Sequence, residues 1–135
     1  MKFKILSFNN GGRIPAEFAM GIPTESGQAT FGPNRSPHLQ WSDEPAGTQS
    51  FALICTDKDA PSIRVDANQP DRTVAHDLPR ADFYHWVLVD IPANVHELPA
   101  GCDCEGVTAH GKEVGQTPYG MRGVNSYTSW FTGEP

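Results

Sequence analysis

The twelve residues SFALICTDKDAP, Ser50–Pro61, constrain this chain more than any other stretch. Phe51, Leu53 and Cys55 alternate with Ala52, Ile54 and Thr56, so both faces are largely apolar. A short run of this kind, β-branched and aromatic, predicts a central strand buried on both sides. Cys55 is then expected to be a small buried hydrophobe. The strand runs out into two carboxylates, Asp57 and Asp59, and stops at Ala60-Pro61. Paired acids at such a place can do acid–base work, bind a metal or accept hydrogen bonds from loop N–H groups. They can equally do no more than build a turn. Their i, i+2 spacing puts both on one face if the strand continues through them.

A second strand is expected over Phe83–Ile91, FYHWVLVDI. Phe83, His85, Val87 and Val89 fall on one face. Antiparallel pairing of the two strands would bring His85 close to Asp57. Such a histidine is either a satisfied core residue or a ligand-facing one. Beside carboxylates its cationic form is favoured, which would suit an anion.

A length of 135 residues predicts one domain, residues 1–135. The charged fraction is 19% and the hydrophobic fraction 38%, a balance that excludes a disordered chain. Twelve prolines and thirteen glycines favour short strands and many turns over long helices. The net charge is −6 and no lysine or arginine cluster occurs, so nucleic acid and anionic membrane surfaces are not expected partners. No apolar run is long enough for a membrane span. The N-terminal MKFKILSFNN lacks the apolar core of a signal peptide, so the expected compartment is the cytoplasm.

Along the chain, Lys2–Phe8 reads as the first strand and Asn9–Gly12 as a turn. Ala16–Gly21 is too short to support a helix. Pro23–Gly27 is a turn, and Ser36–Trp41 is extended, with Leu39 and Trp41 on one face. Ser62–Asp82 is a long polar loop with prolines at 70 and 79, placed to form a rim over the strand ends. Asn94–Leu98 is expected to make one helical turn. Gly123–Tyr127 is a loop, and Tyr127, Trp130 and Phe131 need a surface to pack on. The result is a mostly β domain of two packed sheets. Other motifs carry little. Cys102 and Cys104 make half of a zinc site at best. Gly106–Glu113 misses a phosphate loop because Glu113 stands where Ser or Thr would bind magnesium. Asn34-Arg35-Ser36 matches a glycosylation sequon by chance.

DKDAP at 57–61 followed by FYHWVLVDIP at 83–92 resembles the phosphatidylethanolamine-binding protein family, in particular its bacterial and archaeal Raf-kinase-inhibitor-like branch. SPHLQW at 36–41, PAGTQSFALICTD at 45–57 and GVNSYTSWF at 123–131 are similar to the same branch, in the same order. The resemblance implies an antiparallel β-sandwich with short peripheral helices and a small anion pocket at one end. It implies Asp57, Asp59, Ala60, Pro61 and His85 as ligand-binding residues, with Gly123 and Asn125 in a nearby loop. It also implies a cis peptide at Ala60-Pro61. The family continues into a Gly-Pro-x-Pro-Pro segment and a His-x-Tyr strand, which this sequence does not contain. A sandwich without that strand would leave backbone and apolar side chains unpaired, so self-association or marginal stability is expected.

The leading expectation is therefore a non-enzymatic binding protein, with no cofactor and no metal, whose ligand is a phosphate or phosphorylated headgroup or a phosphorylated protein segment. His85 would donate to the anion, and Asp57 and Asp59 would orient it. Two alternatives are a metal-dependent hydrolase built on Asp57, Asp59 and His85, with His76 as a further ligand, and a protein-interaction domain whose pocket is vestigial.

Overall fold

The computed structural model describes residues 1–69, 71–128 and 131–133. Pro70 and Trp130, both singled out above, lie outside the described residues. Nine strands make up the described structure: β1 (Lys2–Ile5), β2 (Gly21–Pro23), β3 (Ala29–Phe31), β4 (Leu39–Ser42), β5 (Ser50–Pro61), β6 (Arg80–Pro92), β7 (Glu97–Leu98), β8 (Gly115–Thr117) and β9 (Gly120–Arg122). One 3₁₀ turn, Ala16–Phe18, is the helical content of the described residues. None of their helices is long and apolar enough to cross a membrane.

The strands form a three-stranded sheet in the order β1-β4-β7, a four-stranded sheet in the order β5-β6-β9-β8, and the β2–β3 hairpin. All pairings are antiparallel. The mostly β expectation holds. The core lies between the two larger sheets. Leu39, Trp41 and Leu98 come from one, and Leu88 and Ile91 from the other. Leu88 and Leu98 are fully buried. Each such side chain contributes roughly 1.5–3 kcal/mol by leaving water. Leu39 and Trp41 share the inward face of β4, as their spacing predicts, while Gln40 and Ser42 face out.

Several boundaries differ from the sequence reading. β1 ends at Ile5 rather than Phe8. Beyond Leu6, whose N–H still bonds to His38 O, the Ser7 hydroxyl accepts the His38 N–H and takes the place of a ladder bond. Asn94–Leu98 is not helical. Val95 N–H closes a turn onto Pro92 O, and Glu97-Leu98 then pairs with β4 as β7. The largest correction concerns β5. It runs through Asp57 and Asp59 to Pro61, and among the described residues its ladder partner is β6 alone. It is an outer strand, not a central one. Phe51 and Leu53 pack on the core, but Ile54 and Cys55 are exposed. Period-two alternation of apolar residues cannot report how many neighbours a strand has.

The Ala60-Pro61 peptide is not cis, nor is any other described peptide bond. The chain does not turn there. Ala60 pairs with Ala81 and Pro61 with Arg80, so the ladder passes straight through the dipeptide. Proline's missing N–H is tolerated on an outer strand. The turn comes next, where Ser62 N–H bonds to Pro79 O and closes the base of the polar loop.

Candidate functional site

The β5–β6 ladder positions the candidate site through one irregularity. Cys55 pairs with Trp86 and Thr56 with Tyr84. One step along β5 therefore matches two along β6, and His85 is the extra residue. A bulge of this kind breaks the alternation and re-aims a side chain. Here it turns His85 to the side of Phe83, the partner of Asp57. The two rings lie 4.8 Å apart, centre to centre.

The loop after β9 completes the cluster. Its backbone runs beside β6: Gly123 N–H bonds to Val87 O, and Ser126 N–H to Tyr84 O. The Ser126 hydroxyl accepts the Tyr84 N–H in return. Gly123 is needed for the approach, because a Cβ there would sit 2.9 Å from Val87 Cγ1. Asn125 Oδ1 accepts the Tyr127 N–H and shapes the turn. Tyr127 is thereby delivered to the site. Its ring lies 4.8 Å from Phe83 and 5.6 Å from His85, and its hydroxyl is 2.9 Å from His85 Nδ1. Arg64 places its guanidinium 5.0 Å from the centre of the same Phe83 ring. That contact is a cation–π interaction. Ala67 N–H bonded to Arg64 O starts the turn that holds this arginine at the head of the polar loop.

The electrostatics follow from these neighbours. His85 is exposed as a residue, yet its ring packs against both Phe83 and Tyr127. Loss of water at the ring lowers its pKa from 6.5, and the charge of Asp57 opposes that without overcoming it. The expected preference for imidazolium is thus reversed. Asp57 is near enough to be felt, but its Oδ1 is engaged by the Asp59 N–H at 2.8 Å. The same desolvation, with Cys55 and Asp57 adding to it and Arg64 opposing, pushes Tyr127 up to about 12. The Tyr127 hydroxyl therefore keeps its proton, and with a neutral imidazole it donates to Nδ1, leaving the ring proton on Nε2.

The predicted site residues divide accordingly. Asp57 and His85 belong to one cluster. Asp59 is exposed in the irregular stretch between Asp57 and Ala60, and it meets Asp57 as the sequence's simpler turn reading proposes. Ala60 and Pro61 carry the ladder onward. Gly123 and Asn125 act on the backbone of the loop that brings Tyr127. No group of three or more His, Cys, Asp or Glu among the described residues is placed to hold a metal ion. Cys102 and Cys104 are free thiols, and Cys104 Sγ accepts from Asn34 Nδ2. Two recesses, about 280 and 530 Å³, lie elsewhere and include none of these residues. Sequence reasoning missed two members of the His85 site. The sequence pattern gives Tyr127 only a packing role, and Arg64 is one of many charges in a polar loop.

Comparison with known proteins gives consistent results. The family model described as "Phosphatidylethanolamine-binding protein" matches residues 4–133. The UPF0098 protein YbhB of Escherichia coli is 34% identical over 100 residues, covering 70% of this chain and 52% of YbhB. A UPF0098 protein of Aquifex aeolicus is 31% identical over 118 residues, covering 84% of this chain and 53% of its own length. One from Methanothermobacter thermautotrophicus is 29% identical over 126 residues, covering 93% and 59%. The chain spans about half the length of these curated relatives.

Proposed function

From the premise that this chain belongs to the phosphatidylethanolamine-binding protein family, we propose that it is a non-enzymatic binding protein whose His85 site takes a small anion of the phosphate class. One observation supports this most: the bulge at His85 brings an imidazole to the same aromatic ring that carries the Arg64 guanidinium. A guanidinium and an imidazole N–H held on one aromatic ring are donors suited to the oxygens of a phosphoryl group, and Arg is well suited to bidentate contact. Asp57 keeps the site from being uniformly positive, so a ligand bearing an ammonium as well as a phosphate would fit it. A free phosphomonoester, a lipid headgroup and a phosphorylated protein segment all share that chemistry. The hydrolase alternative lacks a converging set of ligands among the described residues. A cytoplasmic location belongs to the same proposal.

The test is the thermal melt with and without millimolar phosphate and O-phosphoethanolamine, for the wild type and for His85→Ala. A ligand at a hundred times its Kd stabilises by about 2.7 kcal/mol. The wild type is expected to shift and His85→Ala to stay unchanged. A cooperative wild-type melt that neither anion moves would overturn the proposal.

A further inference from the structure

The 105–113 loop contains the near miss to a phosphate loop, and its lysine is turned onto the loop itself. Lys112 Nζ donates to Glu105 O at 3.0 Å and to Thr108 Oγ1 at 2.8 Å. Gly111 N–H closes onto Thr108 O at 3.0 Å. Between these ties, His110 and Gly111 both take left-handed backbone, with φ of 60° and 75°. Glycine adopts that conformation freely, whereas histidine does so at a cost and persists there only where its surroundings impose it. One ammonium and two left-handed residues thus fix a stretch that has no regular secondary structure.

The loop is fixed against the segment that carries Tyr127. A Cβ on Gly111 would lie 3.2 Å from Asn125 Oδ1 and 3.6 Å from Tyr127 Cβ. His110 N–H donates to Phe131 O at 2.7 Å, and a Cβ on Gly133 would lie 3.0 Å from Ala109 Cβ. Phe131 leads back to Tyr127: its N–H bonds to Tyr127 O, and the two rings meet edge to face at 5.9 Å. Asn125 Oδ1 is also the acceptor of the Tyr127 N–H. The close approach at Gly111 therefore falls on the atom that holds the Tyr127 backbone. At the far end of that side chain, the hydroxyl bond to His85 Nδ1 spans 2.9 Å. A displacement of about 0.7 Å would end it. We infer that Gly111, held by the Lys112–Thr108 lock, is a positioning residue for the Tyr127–His85 pair. This rests on the reading of His85 as the donor to an anion, because a Tyr127 hydroxyl on Nδ1 leaves the Nε2 proton free for the ligand. Sites keep such geometry when their neighbours are themselves locked.

The experiment is NMR titration of the His85 ring in the full chain without added anion. The variants are Gly111→Ala, Thr108→Val and Thr108→Ser, each alone and combined with Tyr127→Phe. Thr108 is exposed, so its variants keep the fold, and none of these changes alters the charge. Gly111→Ala and Thr108→Val are expected to raise the His85 pKa, by no more than Tyr127→Phe does. Thr108→Ser keeps the hydroxyl and stays at the wild-type value. In the Tyr127→Phe background the shifts vanish, since a positioning effect has no bond left to act on. A His85 pKa that stays at the wild-type value in Gly111→Ala or Thr108→Val would overturn the inference, as would shifts that persist undiminished without the hydroxyl. Should Gly111→Ala lose its cooperative melt, Thr108→Val and its serine rescue decide the matter. Repeating the titrations in millimolar phosphate separates the two readings. A wild-type His85 that phosphate leaves unmoved, with the coupling to Gly111 and Thr108 intact, counts against the anion site and supports the positioning role.

Discussion

Asp103 and Asp57 both address strand β6, and they meet opposite fates. The Asp103 side chain is almost fully buried and fully engaged. Its Oδ2 accepts the Trp86 indole N–H at 2.7 Å and Arg122 Nε at 3.1 Å, and its Oδ1 accepts Arg122 Nη2 at 2.6 Å. Arg122 also reaches the backbone oxygens of Asp103 and Glu113. Asp57 is exposed and holds its own turn, and its neighbours His85, Tyr127 and Arg64 are arranged around an aromatic ring instead of around its oxygens. The first aspartate is a knot that joins the 101–104 loop to β6 and β9. The second leaves its charge at the exposed side of the β5–β6 ladder. A carboxylate whose acceptor sites are all filled contributes to folding; one that only biases its neighbours can contribute to recognition.

The largest effect should come from cutting the knot. Asp103→Ala leaves the Arg122 guanidinium and the Trp86 N–H without their acceptor. Removing one partner of a buried pair costs about 3–5 kcal/mol, and Arg122's partial exposure puts this variant near the lower end. Urea unfolding should show a loss of about 3 kcal/mol, with anion binding by the remaining folded protein unchanged. A loss under about 1 kcal/mol, the level of an ordinary neutral hydrogen bond, would show that water substitutes for the carboxylate.

At the open site the order reverses, with binding affected more than stability. Arg64→Gln removes the cation over Phe83 but keeps much of the side chain. A hydrogen bond to a charged group contributes about 1.5–3 kcal/mol, so phosphate affinity measured by calorimetry should fall about tenfold or more. The melting temperature without ligand should barely move. Equal affinity would leave Arg64 with a packing role only.

How much of this contrast the sequence could show depends on the range of the contacts. Alternation in β4 placed Leu39 and Trp41 correctly, and the apolar runs located β5 and β6 to within a few residues. Those are local properties of a pleated strand. Asp103 sat between two cysteines and drew attention only as part of a weak metal motif, because its partners lie 17 and 19 positions away. Tyr127 reaches His85 across 42 positions, and no local pattern encodes that. The bulge at His85 is invisible for a related reason. It is a mismatch between two strands, so neither strand's sequence contains it. The DKDAP and FYHW motifs lie on the paired strands that bring Asp57 and His85 together, but the rings that desolvate His85 are brought in only by the fold.

Tyr127→Phe sharpens the comparison at smaller scale. A hydroxyl that donates to Nδ1 favours the neutral ring, in addition to the desolvation that lowers the His85 pKa, so its loss should raise that pKa, read by NMR titration of the ring protons. The stability cost should be about 0.5 kcal/mol, the low end for a neutral hydrogen bond on an exposed residue. A further fall in the His85 pKa would mean that His85, not Tyr127, is the donor.

The smallest effect, and the one that best separates the two roles, is in pH. The folded His85 holds its proton less firmly than the unfolded one, whose pKa is near 6.5. Above that value both states are neutral and the fold is unaffected. As pH falls through about 6.5 the unfolded chain takes up the proton first, so stability declines until the folded ring protonates too. Binding should run the other way. An anion favours imidazolium, so affinity for sulfate, whose own charge is constant across this range, should rise between about pH 8 and 5.5. His85→Gln should flatten both trends. Melts and calorimetry over the same buffers check the pair. Acid destabilisation that depends on His85, combined with sulfate affinity that does not, would place the histidine against water rather than against the ligand.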